Sequence, residues 1–171
     1  MINAILHCDK EWGIGRKNDL MFKLPKDMKF FRDTTKGHVV VMGSNTLLSF
    51  PNGKPLKNRI NVVLWPGGDH KRAKEDGFFL MESIDELFDF IKKYSNEEVF
   101  VIGGAMMYHT MLPYCSKVYL TKVDEVGGAE VFFPNLDEMD NWTMTEYSEP
   151  IDDNGHTIRF TVYENSNPVS I

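Results

Sequence analysis

The chain of 171 residues is 42% hydrophobic and 12% aromatic, enough to bury the core of one domain without staples, which excludes a disordered or low-complexity protein. With 25 acidic against 19 basic residues its net charge is -6, so a nucleic-acid or membrane surface is not expected as the main partner, and an anionic ligand must be held by local dipoles and a few cations. Cys8 and Cys115 lack the number and spacing of a disulfide framework or zinc site, so buried thiols in a reducing compartment and no metal are expected.

Ile2 to Cys8 is a short apolar run that predicts a buried strand. It is too short for a signal peptide, and no run approaches the ~20 residues of a membrane span, so a cytoplasmic location is expected. Asp9 to Lys23 has neither helical nor strand period and predicts a long functional loop. Gly13 and Gly15 supply half of a G-x-G-x-x-G turn, but Asn18 stands at the third glycine position and no helix follows, so a Rossmann turn is rejected.

Pro25 predicts the start of a helix that Gly37 ends. On one face of it fall Leu24, Asp27, Met28 and Phe31, three apolar groups and a carboxylate. Asp27 in the first turn either complements the helix dipole or awaits a ligand that pairs with it.

His38 to Gly43 predicts a strand buried on both faces, and Ser44, Asn45 and Thr46 are capping-type residues that predict a short helix at its end. Arg59 to Trp65 and Phe78 to Leu80 predict strands, and the capping box Ser83-Ile84-Asp85-Glu86 opens a helix to Tyr94. Glu98 to Ile102 is a strand running into Gly103-Gly104-Ala105 and an apolar helix that Pro113 ends. Ser116 to Val123, Trp142 to Ser148 and His156 to Glu164 predict the last strands, the final two antiparallel across an Asp152-Asp153-Asn154-Gly155 turn, with a frayed tail from Asn165. This order predicts an α/β fold: a mostly parallel twisted sheet of about eight strands, helices on both faces, an antiparallel C-terminal pair, and ligands outside the carboxyl ends of the strands. One domain spans 1–171.

The glycine-containing strand ends at Gly43 and Gly103-Gly104 deliver two helix starts to one sheet edge, which fits a ligand with separated phosphates. A Walker loop, an HExxH helix and a G-x-S-x-G elbow are all missing from the sequence, so triphosphate, metal or serine hydrolysis is unsupported. His7 and Cys8 are adjacent on a strand and point to opposite faces, so they are not a ligand pair.

The set Trp12-Gly13-Ile14-Gly15, Asn18, Leu20, Leu24-Pro25-Lys26-Asp27-Met28, Phe30-Phe31, Thr35, Val41-Met42-Gly43, Thr46, Arg59, Val101-Ile102-Gly103-Gly104, Tyr108, Leu120-Thr121 and Phe133-Pro134 resembles bacterial dihydrofolate reductase from Met1 to about Tyr163. The resemblance implies a division into an adenosine-binding subdomain over 38–97 and a loop subdomain. It also implies hydride transfer from NADPH to C6 of dihydrofolate with protonation at N5. Asp27 is then the one ionisable acid at the pterin, braced by Thr121, with Leu20 and Phe22 beside the reacting rings. Ile5, Leu6, His7, Met28, Phe31, Phe50, Leu56, Ile102 and Tyr108 are implied as substrate contacts, and Arg59 as the partner of the glutamate α-carboxylate.

For the cofactor the resemblance implies His7, Ile14, Asn18, Asp19, Leu20, Gly43, Ser44, Asn45, Thr46, Leu64, Trp65, Ile102, Gly103, Gly104, Ala105, Met106, Met107 and Tyr108. Diaminopyrimidine or pteridine antifolates are implied as inhibitors, and a monomer is expected. A folate- or nucleotide-binding paralogue with little turnover, or a related pteridine or pyrimidine reductase, is the alternative.

Three positions depart from the family: His7 for alanine, Met21 for proline and Phe22 for tryptophan. Ser44, Asn45 and Met106 are also uncharged where relatives place basic residues for the 2'-phosphate. NADPH is still expected, with His38, Lys71 or Arg72 supplying charge.

Overall fold

The computed structural model describes residues 1–17 and 19–171. Its strands are β1 (Ile2–Cys8), β2 (Gly13–Gly15), β3 (Val39–Gly43), β4 (Ile60–Leu64), β5 (Phe79–Met81), β6 (Val99–Gly103), β7 (Lys117–Val123), β8 (Val131–Phe132), β9 (Trp142–Tyr147), β10 (Ile151–Asp153) and β11 (His156–Asn165). The helices are α1 (Pro25–Thr35), α2 (Ser44–Ser49), α3 (His70–Asp76), α4 (Ile84–Lys92) and α5 (Ala105–Met111). The main sheet runs β5-β4-β3-β6-β1-β7-β11, and β10 and β9 divide the outer edge of β11 between them. From β5 to β7 every pairing is parallel, and the C-terminal strands are antiparallel.

The near-continuous apolar strands are explained by burial of both sheet faces. Alternate residues separate into two clusters. Ala4, Cys8, Val39, Val41, Val62, Val99, Val101, Val118 and Leu120 pack with Leu87 and Ile91 of α4 and Met107 and Met111 of α5. Ile5, Val40, Met42, Val63 and Phe100 pack with Leu47 of α2, Ala73 of α3, and Phe30 and Phe31 of α1. Cys8 and Cys115 are both buried, and burial pushes each thiol up to about 12, so neither is a nucleophile near neutrality.

Four expectations change. Helix α3 is absent from the sequence reading because it buries only Ala73; its signals are the Asp69 cap, which accepts from the Arg72 amide at 3.0 Å, and the left-handed Gly77. The loop after β1 contains β2, which pairs with β8. Buried Asp9 anchors it: Oδ1 accepts from the amides of Glu11 (2.9 Å) and Gly13 (2.7 Å), and Oδ2 from Gly127 (2.9 Å). Gly13 is required there, since a Cβ would lie 2.4 Å from that of Ala129. Before β11, Asp152 and Asp153 belong to β10, and the turn is Asn154-Gly155, both with positive φ. The tail is held: Asn165 donates to the Cys115 carbonyl (3.0 Å), and the Val169 amide to that of Pro113 (2.9 Å).

Candidate functional site

The site forms where β1, β3, β6 and β7 end together. His7 and Thr121 are register partners in adjacent parallel strands, so both side chains leave the same face of the sheet, toward the first turn of α1. Asp27 meets them there. Its Oδ1 accepts from Thr121 Oγ1 at 2.6 Å, and its Oδ2 lies 3.4 Å from His7 Nδ1. The Asp27 side chain is 13% exposed and that of His7 6%.

A second aspartate decides what Asp27 can do. Leu24 gives α1 no side-chain cap. Asp153, buried at the end of β10, supplies it instead: Oδ1 accepts from the Lys26 amide and Oδ2 from the Asp27 amide, each at 3.0 Å. Lys26 Nζ donates to the Asp152 carbonyl at 2.5 Å, and Asn154 Nδ2 to that of Lys23 at 3.0 Å. The orphan amides and dipole of α1 are thereby satisfied from the C-terminal hairpin. The Asp27 carboxylate is left to face the cleft. Asp153→Ala is expected to lower stability by about 2 kcal/mol, because two buried amides lose a charged acceptor; denaturant midpoints of Asp153→Ala and Asp153→Asn check it.

Around the carboxylate the walls are apolar. Ile5, Phe31, Phe50 and Ile102 share one cluster, while Met28 is exposed at its edge. Leu56 is half-buried, its amide and carbonyl both bonded to Asn61. Phe22 lies 6.1 Å from the His7 ring and 5.1 Å from that of His156, which pairs with Glu125. The side chains of Leu6, Leu64 and Met107 pack in the cluster on the opposite sheet face. Tyr108 is buried, its phenol pushed well up by burial and then by Asp27, and it donates to the Ile5 carbonyl at 2.9 Å.

Arg59 sits beyond Phe31, with its guanidinium carbon 5.9 Å from the ring centroid. Nε donates to Thr35 Oγ1 (2.8 Å), Nη1 to the Lys57 carbonyl (2.6 Å) and Nη2 to that of Arg32 (3.3 Å). All three acceptors are neutral. Burial and then Arg32 draw the Arg59 pKa below the ordinary arginine value, so an anion here would offset a real electrostatic cost.

On the other side of β6, Gly103 has φ 137° and is joined to Gly104 by a cis peptide. A Cβ at Gly103 would lie 3.0 Å from Thr46 Oγ1, so the two strand-end turns form one close cradle. Gly43, not Ser44, Asn45 or Thr46, is the N-cap of α2, and α2 has no side-chain cap. Those three polar side chains are therefore not spent on the helix start. Ala105 is half-buried and Met106 exposed at the start of α5, and Trp65 packs over Gly68. Ile14 is half-buried in β2, Leu20 is 57% exposed, and the Asp19 carboxylate accepts from the Leu20 amide at 2.7 Å. Asn18 lies outside the described residues.

By sequence, three side chains are expected to supply charge near Ser44. His38 precedes β3, at the opposite end from Gly43, and packs on Phe100. Lys71 pairs with Glu75, and Arg72 with Asp76 and the Gly53 carbonyl. Sequence reasoning also missed Asp153 and the His7–Asp27 pair. A signal existed for the first: a proline-started helix preceded by Leu24 needs its cap from another segment.

A parallel sheet with ligand-facing groups gathered at its carboxyl edge defines an α/β protein that binds at the strand ends. Comparison with known proteins narrows that class. The sequence matches the family model described as Dihydrofolate reductase over residues 1–165. It is 34% identical to dihydrofolate reductase of Bacillus subtilis (strain 168), covering 98% of this chain and 96% of that one, and 32% identical to that of Staphylococcus haemolyticus, covering 95% of each. Its fold is similar to that of dihydrofolate reductase from Enterococcus faecalis complexed with NADP(H) and RAB-propyl, with a TM-score of 0.82, 26% identity, and coverage of 98% and 97%. The chain belongs to the dihydrofolate reductase family.

Proposed function

We propose that this dihydrofolate reductase holds its pterin ring through Asp27 and its nucleotide on the Gly103–Thr46 cradle. The reaction is the NADPH-dependent reduction of dihydrofolate to tetrahydrofolate. NADPH supplies the hydride that reaches C6, and a proton is added at N5. The observation that carries the reading is the Asp27 carboxylate itself. With Thr121 on one oxygen and the helix dipole already met by Asp153, it keeps acceptor capacity for a ring nitrogen and the 2-amino group.

Ile5, Phe31, Phe50 and Ile102 enclose the rings in an apolar slot, with Met28 and Leu56 at its mouth. Arg59, held by Thr35 against Phe31, offers its guanidinium to the glutamate carboxylate. Ile14, Asn18, Asp19 and Leu20 belong to the segment that covers nicotinamide, and excluding water there favours direct hydride transfer. Phe22 stands where an indole donor would be and offers no hydrogen bond, so the proton reaches N5 without help from that side chain.

The residues present fit the cofactor: the close approach at Gly103 leaves backbone where a Cβ would otherwise stand, and Ser44, Asn45 and Thr46 are uncommitted donors for the 2'-phosphate. Residues 38–97 form the adenosine side of a single domain. Diaminopyrimidine and pteridine antifolates bind the same carboxylate. The protein acts as a cytoplasmic monomer without nucleic-acid or membrane partners, in keeping with its net charge of -6 and with no helix long and apolar enough to cross a membrane among the described residues.

Loss of reduced-nicotinamide absorbance on adding dihydrofolate tests the activity, and its absence would overturn the reading. Steady-state kcat/KM with each nucleotide tests the cofactor: NADPH is expected to exceed NADH, and an equal or better value with NADH would contradict the assignment of Ser44, Asn45 and Thr46.

A further inference from the structure

We infer that His7 is a specificity-determining partner of Asp27, which sets the site against rings that arrive as cations and in favour of neutral rings that only donate N–H bonds. The inference rests on the reading of Asp27 as the ring's partner.

His7 is 7% exposed, and its Nδ1 stands 3.4 Å from Asp27 Oδ2, within ion-pair distance. Its Nε2 is buried with no hydrogen-bond partner among the described residues. Asp27 Oδ2 is thus the counter-charge that a proton gained by His7 would meet. The other groups around the pair do not alter this. Thr121 on β7 is neutral, and Tyr108 on α5 is a neutral phenol bonded to the Ile5 carbonyl. Asp153 of β10 is bound to the first amides of α1, and Lys26 of α1 directs its Nζ to the Asp152 carbonyl. His156 of β11 packs on Phe22 and is paired with Glu125. Cys8 leaves the opposite face of β1.

One carboxylate thus serves two claimants. A ring that binds as a cation takes the counter-charge His7 needs, so His7 must release its proton or the two positive charges share Asp27. A neutral dihydropterin places no second charge there. The penalty is linked to the imidazole proton, so a lower pH, which favours proton binding, enlarges it.

Affinities measured without cofactor test this on the whole protein, using a 2,4-diaminopyrimidine antifolate as the cationic probe and dihydrofolate as the neutral one. Wild type, His7→Phe, His7→Gln and Asp27→Asn are compared at about pH 6 and about pH 8. His7→Phe and His7→Gln are expected to favour the diaminopyrimidine over dihydrofolate about tenfold more than wild type does at the lower pH, and to stay within about threefold of the wild-type ratio at the higher. Glutamine keeps a polar group but cannot charge, so agreement of the two variants separates charge from packing. Equal changes for both ligands at both pH values, or no change, would overturn the inference while leaving Asp27 in place. If Asp27→Asn leaves both affinities unaltered, the reading of Asp27 fails instead.

Discussion

Asp27→Asn is expected to reduce kcat/KM for dihydrofolate by about 10²–10⁴-fold. Asparagine preserves the shape that meets Thr121 Oγ1 at 2.6 Å but carries no charge to strengthen the bonds donated by the ring N–H groups. Stability should hold or rise, because Asp27 is largely buried and its side-chain partners among the described residues are a hydroxyl and an imidazole, with no lysine or arginine to offset the cost of burying its charge. Steady-state kinetics and thermal melts on one preparation check both. Opposite movement of activity and stability distinguishes a functional carboxylate from a structural one. A parallel loss of both would assign Asp27 to the fold.

Gly103→Ala is expected to weaken NADPH binding by at least about tenfold and to lower stability by about 2 kcal/mol. At φ 137° a side chain is strained whatever the space around it, and the new Cβ would also press on Thr46 Oγ1 at 3.0 Å. Relief requires β6 and α2 to separate, which opens the cradle. Gly43→Ala is the control. That glycine has φ -84°, and a Cβ there meets Met107 Cγ at 3.4 Å, an ordinary contact, so its stability loss should be small. Cofactor titration by fluorescence and a denaturant midpoint separate the two variants. Equal effects would mean that neither turn is a close approach to the nucleotide.

The antiparallel C-terminal strands show where local signals succeed and where they stop. Alternation in Ile158, Phe160 and Val162 and the Asn154-Gly155 turn are legible because they depend on neighbours along the chain. That Asp153 caps a helix beginning at Pro25 is not, because the two are 126–127 residues apart and meet only when β10 is laid beside α1. The same limit hid Asp9, whose third amide partner is Gly127. It also let His38 stand as a candidate for a phosphate at Ser44, although it precedes β3 at the end opposite Gly43.

At the first turn of α1 the division is sharp. The sequence by itself determined the helix start at Pro25, the apolar face of Leu24, Met28 and Phe31, and the presence of a carboxylate on that face, since proline geometry and helical period are local properties. It left open whether Asp27 served the helix or a ligand. Only the tertiary structure brings Asp153 to the amides and Thr121 and His7 to the carboxylate, which meets the needs of the helix start without Asp27. Hydrogen bonds and ion pairs act over a few ångströms, and which distant residues come that close is set by strand order and register, not by spacing along the chain.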